Sequence, residues 1–392
     1  YTKILDGGWS SGDYATFQLG LISGINNSRQ KIEWLTNLVR NYPNSDLVPD
    51  AYLEIAGTHL ADERYEEAIP FLKQVTTSAS STLVPKAYLQ LGIAYFNLNK
   101  NDEALQQYTT LLQRYPNSTE AEEALENARA VFVEEGRSAE YVEFARKMGK
   151  EVSVSQEDQL AYQEAEVQFN NGNFLQAVAK FEQYLSRFPN GKYALEANFY
   201  KSEIYFDQKE WAKAAAGYAT LADRVPHKFG ERSVLQSARL NFFDLKDFAK
   251  AKRYYEQLKQ MADSREIRLE AMRGLLRSEF QLNQWAEAAQ NARDLLNEKG
   301  IGTDDQVLAN LALARSLHDA KQYAEAITYY RNVAQLSKAA YGAEARYQIA
   351  ACYFEQRKLE EAEKAAFQVI NGAGSYEEWV TKAYLLLGDI YF

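Results

Sequence analysis

An all-α solenoid, an array of antiparallel helix pairs, is the fold this sequence predicts, and three recurrences predict it. A small alanine returns at Ala68, Ala104, Ala177, Ala214, Ala251, Ala288, Ala326 and Ala362, at near-multiples of 36 to 38 residues. An aromatic residue stands three places before most of them, in Tyr65/Ala68, Phe174/Ala177, Trp211/Ala214, Phe248/Ala251, Trp285/Ala288 and Tyr323/Ala326, with Leu359 doing the same for Ala362. Prolines close helices at Pro43, Pro116, Pro189 and Pro226, where the ring cannot continue the hydrogen-bond ladder.

Each recurrence has a packing reason. The alanine lets the two helices of a pair approach closely, and the aromatic fills the groove beside it. Pro49 and Pro85 sit where a first helix begins, a place that tolerates the missing N–H. Pro70, in Ala-Ile-Pro-Phe, falls just inside a second helix and predicts a local kink.

Composition excludes several function classes. The 392 residues are 46% hydrophobic and 25% charged, and no apolar run approaches the roughly 18 residues of a membrane span. With 44 Lys+Arg against 54 Asp+Glu, and the bases scattered, nucleic acid is not an expected ligand. The one cysteine, Cys352, excludes an intrachain disulfide and reads as a buried, inert thiol between Ala351 and Tyr353. The chain opens on Tyr1, which predicts that a leader or a preceding segment has been removed.

Tyr88, Leu91, Gly92, Tyr95, Ala104, Tyr108 and Pro116 carry the spacing W-x2-L-G-x2-Y…A-x3-F…P. On these residues the chain resembles the tetratricopeptide repeat family. Its period exceeds the family's usual value of about 34, with the surplus after the proline, as in Pro-Asn-Ser-Thr-Glu-Ala. In this the chain is similar to long exported repeat proteins of Gram-negative envelopes, among them periplasmic division coordinators and lipoproteins of outer-membrane assembly. The resemblance implies a periplasmic or outer-membrane-associated place, with the cytoplasm as the alternative, and it covers essentially the whole length.

Ten pairs are expected, at about 13–44, 48–82, 85–118, 120–149, 158–191, 194–228, 231–265, 268–303, 306–340 and 342–375, then one helix from about 377 to 392. Tyr384, Leu387, Gly388 and Tyr391 match the opening half of a repeat, so that helix reads as part of a truncated longer array. A capping repeat would show a polar outer face, which Leu385, Ile390 and Phe392 do not supply. The fourth repeat is degenerate, with Tyr141 near the expected alanine, and Glu151–Asp158 breaks the helical period. Glu164 and Gln168 occupy the slots of Leu91 and Tyr95, which predicts weak packing there. The expected organisation is an N-terminal array over 1–150, a hinge over 151–157 and a C-terminal array over 158–392.

Catalysis is not expected, because a solenoid keeps residues distant in sequence distant in space. His59, His227 and His318 fall in different repeats, and no His, Cys and carboxylate cluster has metal-ligand spacing. Gly7-Gly8, Gly300-Ile301-Gly302 and Gly372-Ala373-Gly374 read as helix stops, without phosphate-loop spacing. Neither cofactor nor metal is expected.

The resemblance implies a concave face lined by alternate positions of each first helix. Carried across, it points to Tyr162, Glu166, Phe169, Phe199, Tyr200, Glu203, Phe206, Asp207, Leu240, Phe243 and Asp244, an aromatic and acidic stretch. The eighth and ninth repeats then contribute Arg273, Arg277, Phe280, Arg315, His318 and Asp319, a basic one. Rings beside charges suit an extended peptide; the bland alternative is that the rings are core and the arginines pair with carboxylates of neighbouring helices. The carboxylate clamp of chaperone-binding relatives is missing, since its positions hold Leu53, Gly57, Gln90 and Ile93, and Ala312 stands beyond Arg273 and Arg277.

The expected function is therefore a non-catalytic scaffold that binds a protein or peptide segment in its groove. Two alternatives remain open. One is a glycan-binding outer-membrane lipoprotein on the same frame, which the even spacing disfavours; the other is self-association through the apolar final helix.

Overall fold

The computed structural model describes residues 11–25, 27–78, 82–372 and 376–392. Gly7-Gly8 and Ala373-Gly374 lie outside the described residues, as does Tyr1. The chain divides into two compact units, residues 1–194 and 195–392. Within the described residues every regular element is helical.

The first unit holds α1 Gly12–Ser23, α2 Ser28–Asn41, α3 Val48–Ala61, α4 Tyr65–Thr76, α5 Val84–Asn97, α6 Asn101–Arg114, α7 Thr119–Glu134, α8 Ser138–Lys147, α9 Val154–Asn170 and α10 Phe174–Arg187. The second holds α11 Ala194–Asp207, which begins at the boundary, α12 Trp211–Ala222, α13 Gly230–Arg239 with a π-helical turn Leu240–Asp244, α14 Phe248–Met261, α15 Arg265–Gln281, α16 Trp285–Asn297, α17 Thr303–Asp319, α18 Tyr323–Leu336, α19 Ala340–Glu355, α20 Leu359–Gly372 and α21 Glu377–Tyr391. These are the ten expected pairs and the final helix.

The alanines behave as their spacing requires. Ala68, Ala104, Ala177, Ala214, Ala251, Ala288, Ala326 and Ala362 are all fully buried. Four residues after five of them lie Tyr108, Phe181, Tyr218, Tyr255 and Tyr330, which are among the largest fully buried side chains. Each such ring removes enough apolar surface from water to contribute about 1.5–3 kcal/mol. Cys352 is fully buried, and burial pushes its thiol up to about 12, so it carries no thiolate at neutral pH.

The turns inside the second to tenth pairs share a backbone feature. A residue in the left-handed region recurs at Glu63, Asn99, Gly136, Gly172, Lys209, Lys246, Asn283, Lys321 and Arg357. Around Glu63, its own N–H donates to the Leu60 carbonyl and the Arg64 N–H donates to the His59 carbonyl, the two bonds of a Schellman turn. The same long bond closes Lys100 to Tyr95, Asn173 to Gln168, Glu210 to Tyr205, Gln284 to Glu279, Gln322 to Leu317 and Lys358 to Tyr353.

Pro70 lies inside helix α4. The start of the fifth pair departs from the sequence expectations. Helix α9 starts at Val154, four residues earlier than the pattern indicated, because Ser153 and Gln156 form a reciprocal capping box. Glu164 and Gln168 meet partners in these slots: Glu164 is buried against Ser138, whose N–H donates to it at 3.2 Å and whose hydroxyl also donates, and it pairs with Lys180. Gln168 donates to the Glu134 carbonyl at 3.3 Å and accepts from Asn173 at 3.0 Å. Buried polar groups weaken packing only when unmet, and these hold the fifth pair to the turn of the fourth.

Candidate functional site

In the first unit, Tyr162 is buried in α9. Its ring stacks on Tyr193 at 4.6 Å and its hydroxyl lies 3.1 Å from Glu166. Phe169, the next-to-last residue of α9, meets Phe174 at the start of α10 edge-on at 5.9 Å.

In the second unit the same edge-on pairing across the turn recurs as Phe206–Trp211 at 5.6 Å, Phe280–Trp285 at 5.4 Å and His318–Tyr323 at 5.5 Å. In these four pairs the aromatic that opens the second helix packs on the ring near the end of the first. Burial holds the His318 imidazole below its ordinary value, so it is neutral at pH 7. Phe199 is buried, stacked on Phe229 at 4.2 Å with the Arg232 guanidinium 5.5 Å from its ring centre, while Tyr200 meets Phe229 edge-on and Asp207 is exposed.

The arginines of the first helices are mostly paired in steps from one repeat to the next. Arg239 binds both oxygens of Glu270 at 2.6 and 2.7 Å, and Arg273 does the same to Asp305 at 2.6 and 2.7 Å. Arg315 donates twice to Glu344, at 3.0 and 2.6 Å, and lies over Phe280 and Trp285. Such two-point contacts fix the guanidinium plane. Arg277 is exposed and makes no ion pair among those described.

These first helices enclose a hollow of about 610 Å³. Phe242 and Phe243 of the π turn form one wall, Glu266, Glu270, Arg273 and Arg277 of α15 the floor, and Gly302, Thr303, Asp304 and Asp305 at the start of α17 the far wall. Two backbone features shape it. The π turn, an irregularity frequent at functional sites, leaves Phe243 53% exposed while Leu240 is buried. Gly274 admits the Tyr255 ring, since a Cβ there would lie 2.3 Å from Cζ.

Of the sequence-derived groove residues, the hollow brings together Phe243, Arg273 and Arg277. Phe199, Tyr200, Phe206, Asp207, Arg315 and His318 do not line it. Sequence reading missed Glu266, Glu270 and Asp305; the one available signal was the separation of opposite charges by about a repeat length, as in Arg273 and Asp305. No cue marked the π turn.

The hollow can hold an exposed ring and a guanidinium against a ligand. Among the described residues no cluster of His, Cys, Asp or Glu could hold a metal ion. His59 is stacked on Phe71 with Nδ1 3.0 Å from Glu67, and His227 bridges the Leu221 carbonyl and the Phe229 N–H, so both serve packing and turns.

Comparison with known families matches three stretches to the tetratricopeptide repeat: residues 86–118, 162–228 and 317–391. No curated protein matches the chain. Among solved structures it is similar to the TPR domain of P58(IPK), at 15% identity over 96% of this chain and 98% of that one, TM-score 0.27. It is also similar to a tetratricopeptide repeat protein from Parabacteroides merdae, at 14% identity over 67% and 98% of the two chains, TM-score 0.33. The apo form of the quorum sensor NprR from B. thuringiensis gives 15% identity over 68% and 78%, TM-score 0.34.

Proposed function

We propose that this chain of tetratricopeptide repeats is a non-catalytic scaffold whose first-helix face binds an extended segment of a partner protein. The observation that carries this reading is Phe243 standing exposed on a π turn beside the unpaired Arg277, over the 610 Å³ hollow. The other arginines flanking that face are already neutralised by fixed carboxylates. An exposed ring offers contact area at low entropic cost, and an unpaired guanidinium fixes register by donating to a partner's carbonyl or carboxylate. Tyr162, Phe169, Phe199, Tyr200, Phe206, Asp207 and His318 then act mainly by supporting the helices that present the face.

Selection from a random peptide library, with the wild type and a Phe243→Ala, Arg277→Gln variant as baits, tests the proposal. Both residues are exposed, so the variant is expected to keep its helicity. Related sequences enriched by the wild type alone support the groove; the same sequences enriched by both baits remove it.

Placement in a bacterial envelope rests on the length of the repeats and the extended turns after their prolines, and cell fractionation checks it. A second reading, self-association, is favoured by Tyr384 and Leu385 of α21, which are 58% and 66% exposed. The hinge expected over 151–157 belongs to the same reading of an array in two parts, and limited proteolysis near Glu151 is its test.

A further inference from the structure

A second hollow lies away from the first-helix groove, where the second helices α18 and α20 flank α19. It encloses about 430 Å³. Three cations line it, one from each helix: Arg331, Arg346 and Lys364. None of the three forms an ion pair with a carboxylate among the described residues. Both guanidiniums are instead held by neutral acceptors. Arg331 donates to the Tyr353 hydroxyl at 2.6 Å, and Arg346 to the Ala334 carbonyl at 3.0 Å, in the last turn of α18 where helical partners run out. Neutral acceptors orient the forks and leave their charge in place.

This arrangement contrasts with the stepped ion pairs of the first helices in the same unit. Arg239, Arg273 and Arg315 each face a carboxylate at hydrogen-bond distance. The chain has acid to spare, 54 Asp+Glu against 44 Lys+Arg, yet only Glu361 joins this hollow, and it is unpaired. Three cations to one carboxylate leave a net positive concavity on an acidic protein, with like charges oriented and unrelieved.

We infer that this hollow is a binding site for an acidic peptide segment, distinct from the groove. Planar guanidiniums bind carboxylates in two-point fashion. The rest of the lining suits a peptide better than a small oxyanion. Ile349 and Ala365 offer an apolar bed for side-chain methylenes, and the Gln335 and Gln368 amides can pair with a peptide backbone.

Fluorescence anisotropy with a short labelled peptide alternating glutamate and glycine, at low salt, reads the site. Wild type is compared with Arg331→Gln/Arg346→Gln and with Lys364→Glu, whose exposed side chain can be reversed without disturbing either guanidinium. The groove variant Phe243→Ala/Arg277→Gln serves as the control. Expected is binding that weakens about tenfold or more in both pocket variants, is unchanged in the groove variant and fades with added salt, as loss of a charge-assisted contact requires. Equal binding by wild type and Lys364→Glu overturns the inference, as does loss in the groove variant alone. Inorganic phosphate is the second probe: binding of phosphate without binding of the peptide also overturns it, in favour of a small-anion site.

Discussion

Gly92 and Gly57 are both helical glycines, yet the space around them differs. A Cβ on Gly92 would fall 2.1 Å from the fully buried Tyr108 ring, whereas a Cβ on Gly57 would meet nothing within 4 Å. Ala in place of Gly gains about 1 kcal/mol of helix propensity, and overpacking a core costs about 1–3 kcal/mol. Gly92→Ala is therefore expected to lower the urea midpoint and Gly57→Ala to raise it; a rise for both would mean that the Tyr108 slot is slack. Glu279 gives a residue-scale prediction in pH. Its carboxyl is 1% exposed, accepts from Asn291 at 2.8 Å, and has Lys252 3.8 Å away, while its second oxygen finds no protein donor. Burial, more than these contacts offset and with Glu287 and Glu256 adding to it, raises its pKa from an ordinary 4.5 to about 7. The fold thus holds this proton more tightly than the unfolded chain does, so the stability it contributes is complete below pH 4.5 and is lost as pH rises to about 7. Glu279→Gln should flatten the fall in Tm across that window, and an unchanged slope would exonerate this carboxyl.

Turns set the next scale. Left-handed backbone costs a non-glycine residue about 1–2 kcal/mol, and the turns of this chain place Lys209, Lys246, Asn283 and Lys321 there. Around Lys209, Asn283 and Lys321 the Schellman bonds that follow force the conformation, and the residue after the left-handed one is the N-cap of the second helix. That double duty explains why Arg64, Lys100, Glu210 and Gln322 serve as N-caps without any side-chain cap bond. Lys209→Gly should stabilise the fold by about 0.5–1 kcal/mol after its own unfolded-state entropy is counted; thermal melts that place it below wild type would show that the lysine contributes more than its backbone costs. Across these turns the Phe206–Trp211 and Phe280–Trp285 contacts act as staples. Aromatic spacing alone could not separate such a staple from a groove residue, because both recur at the same point of the repeat.

Over the whole molecule, contacts run from neighbour to neighbour within each unit, and stability is close to a sum of repeats and their interfaces. The apolar α21 makes the assembly state measurable: if Tyr384 and Leu385 join copies, light scattering of the wild type should exceed a monomer and Leu385→Glu should restore one. A monomer for both removes self-association. The sequence by itself determined the helix pairs, their number and the identity of the close contacts, because a period of 36 to 38 residues with a buried alanine is a local instruction that each repeat carries out with its neighbours. Only the tertiary structure decided which groove arginines are neutralised, that Phe199 stacks away on Phe229 while Phe243 turns out on a π turn, and that Glu164 finds Ser138 and Lys180. Those outcomes depend on the register between helices a repeat apart, where a shift of a few ångströms makes or breaks an ion pair, and no single window of sequence encodes that register.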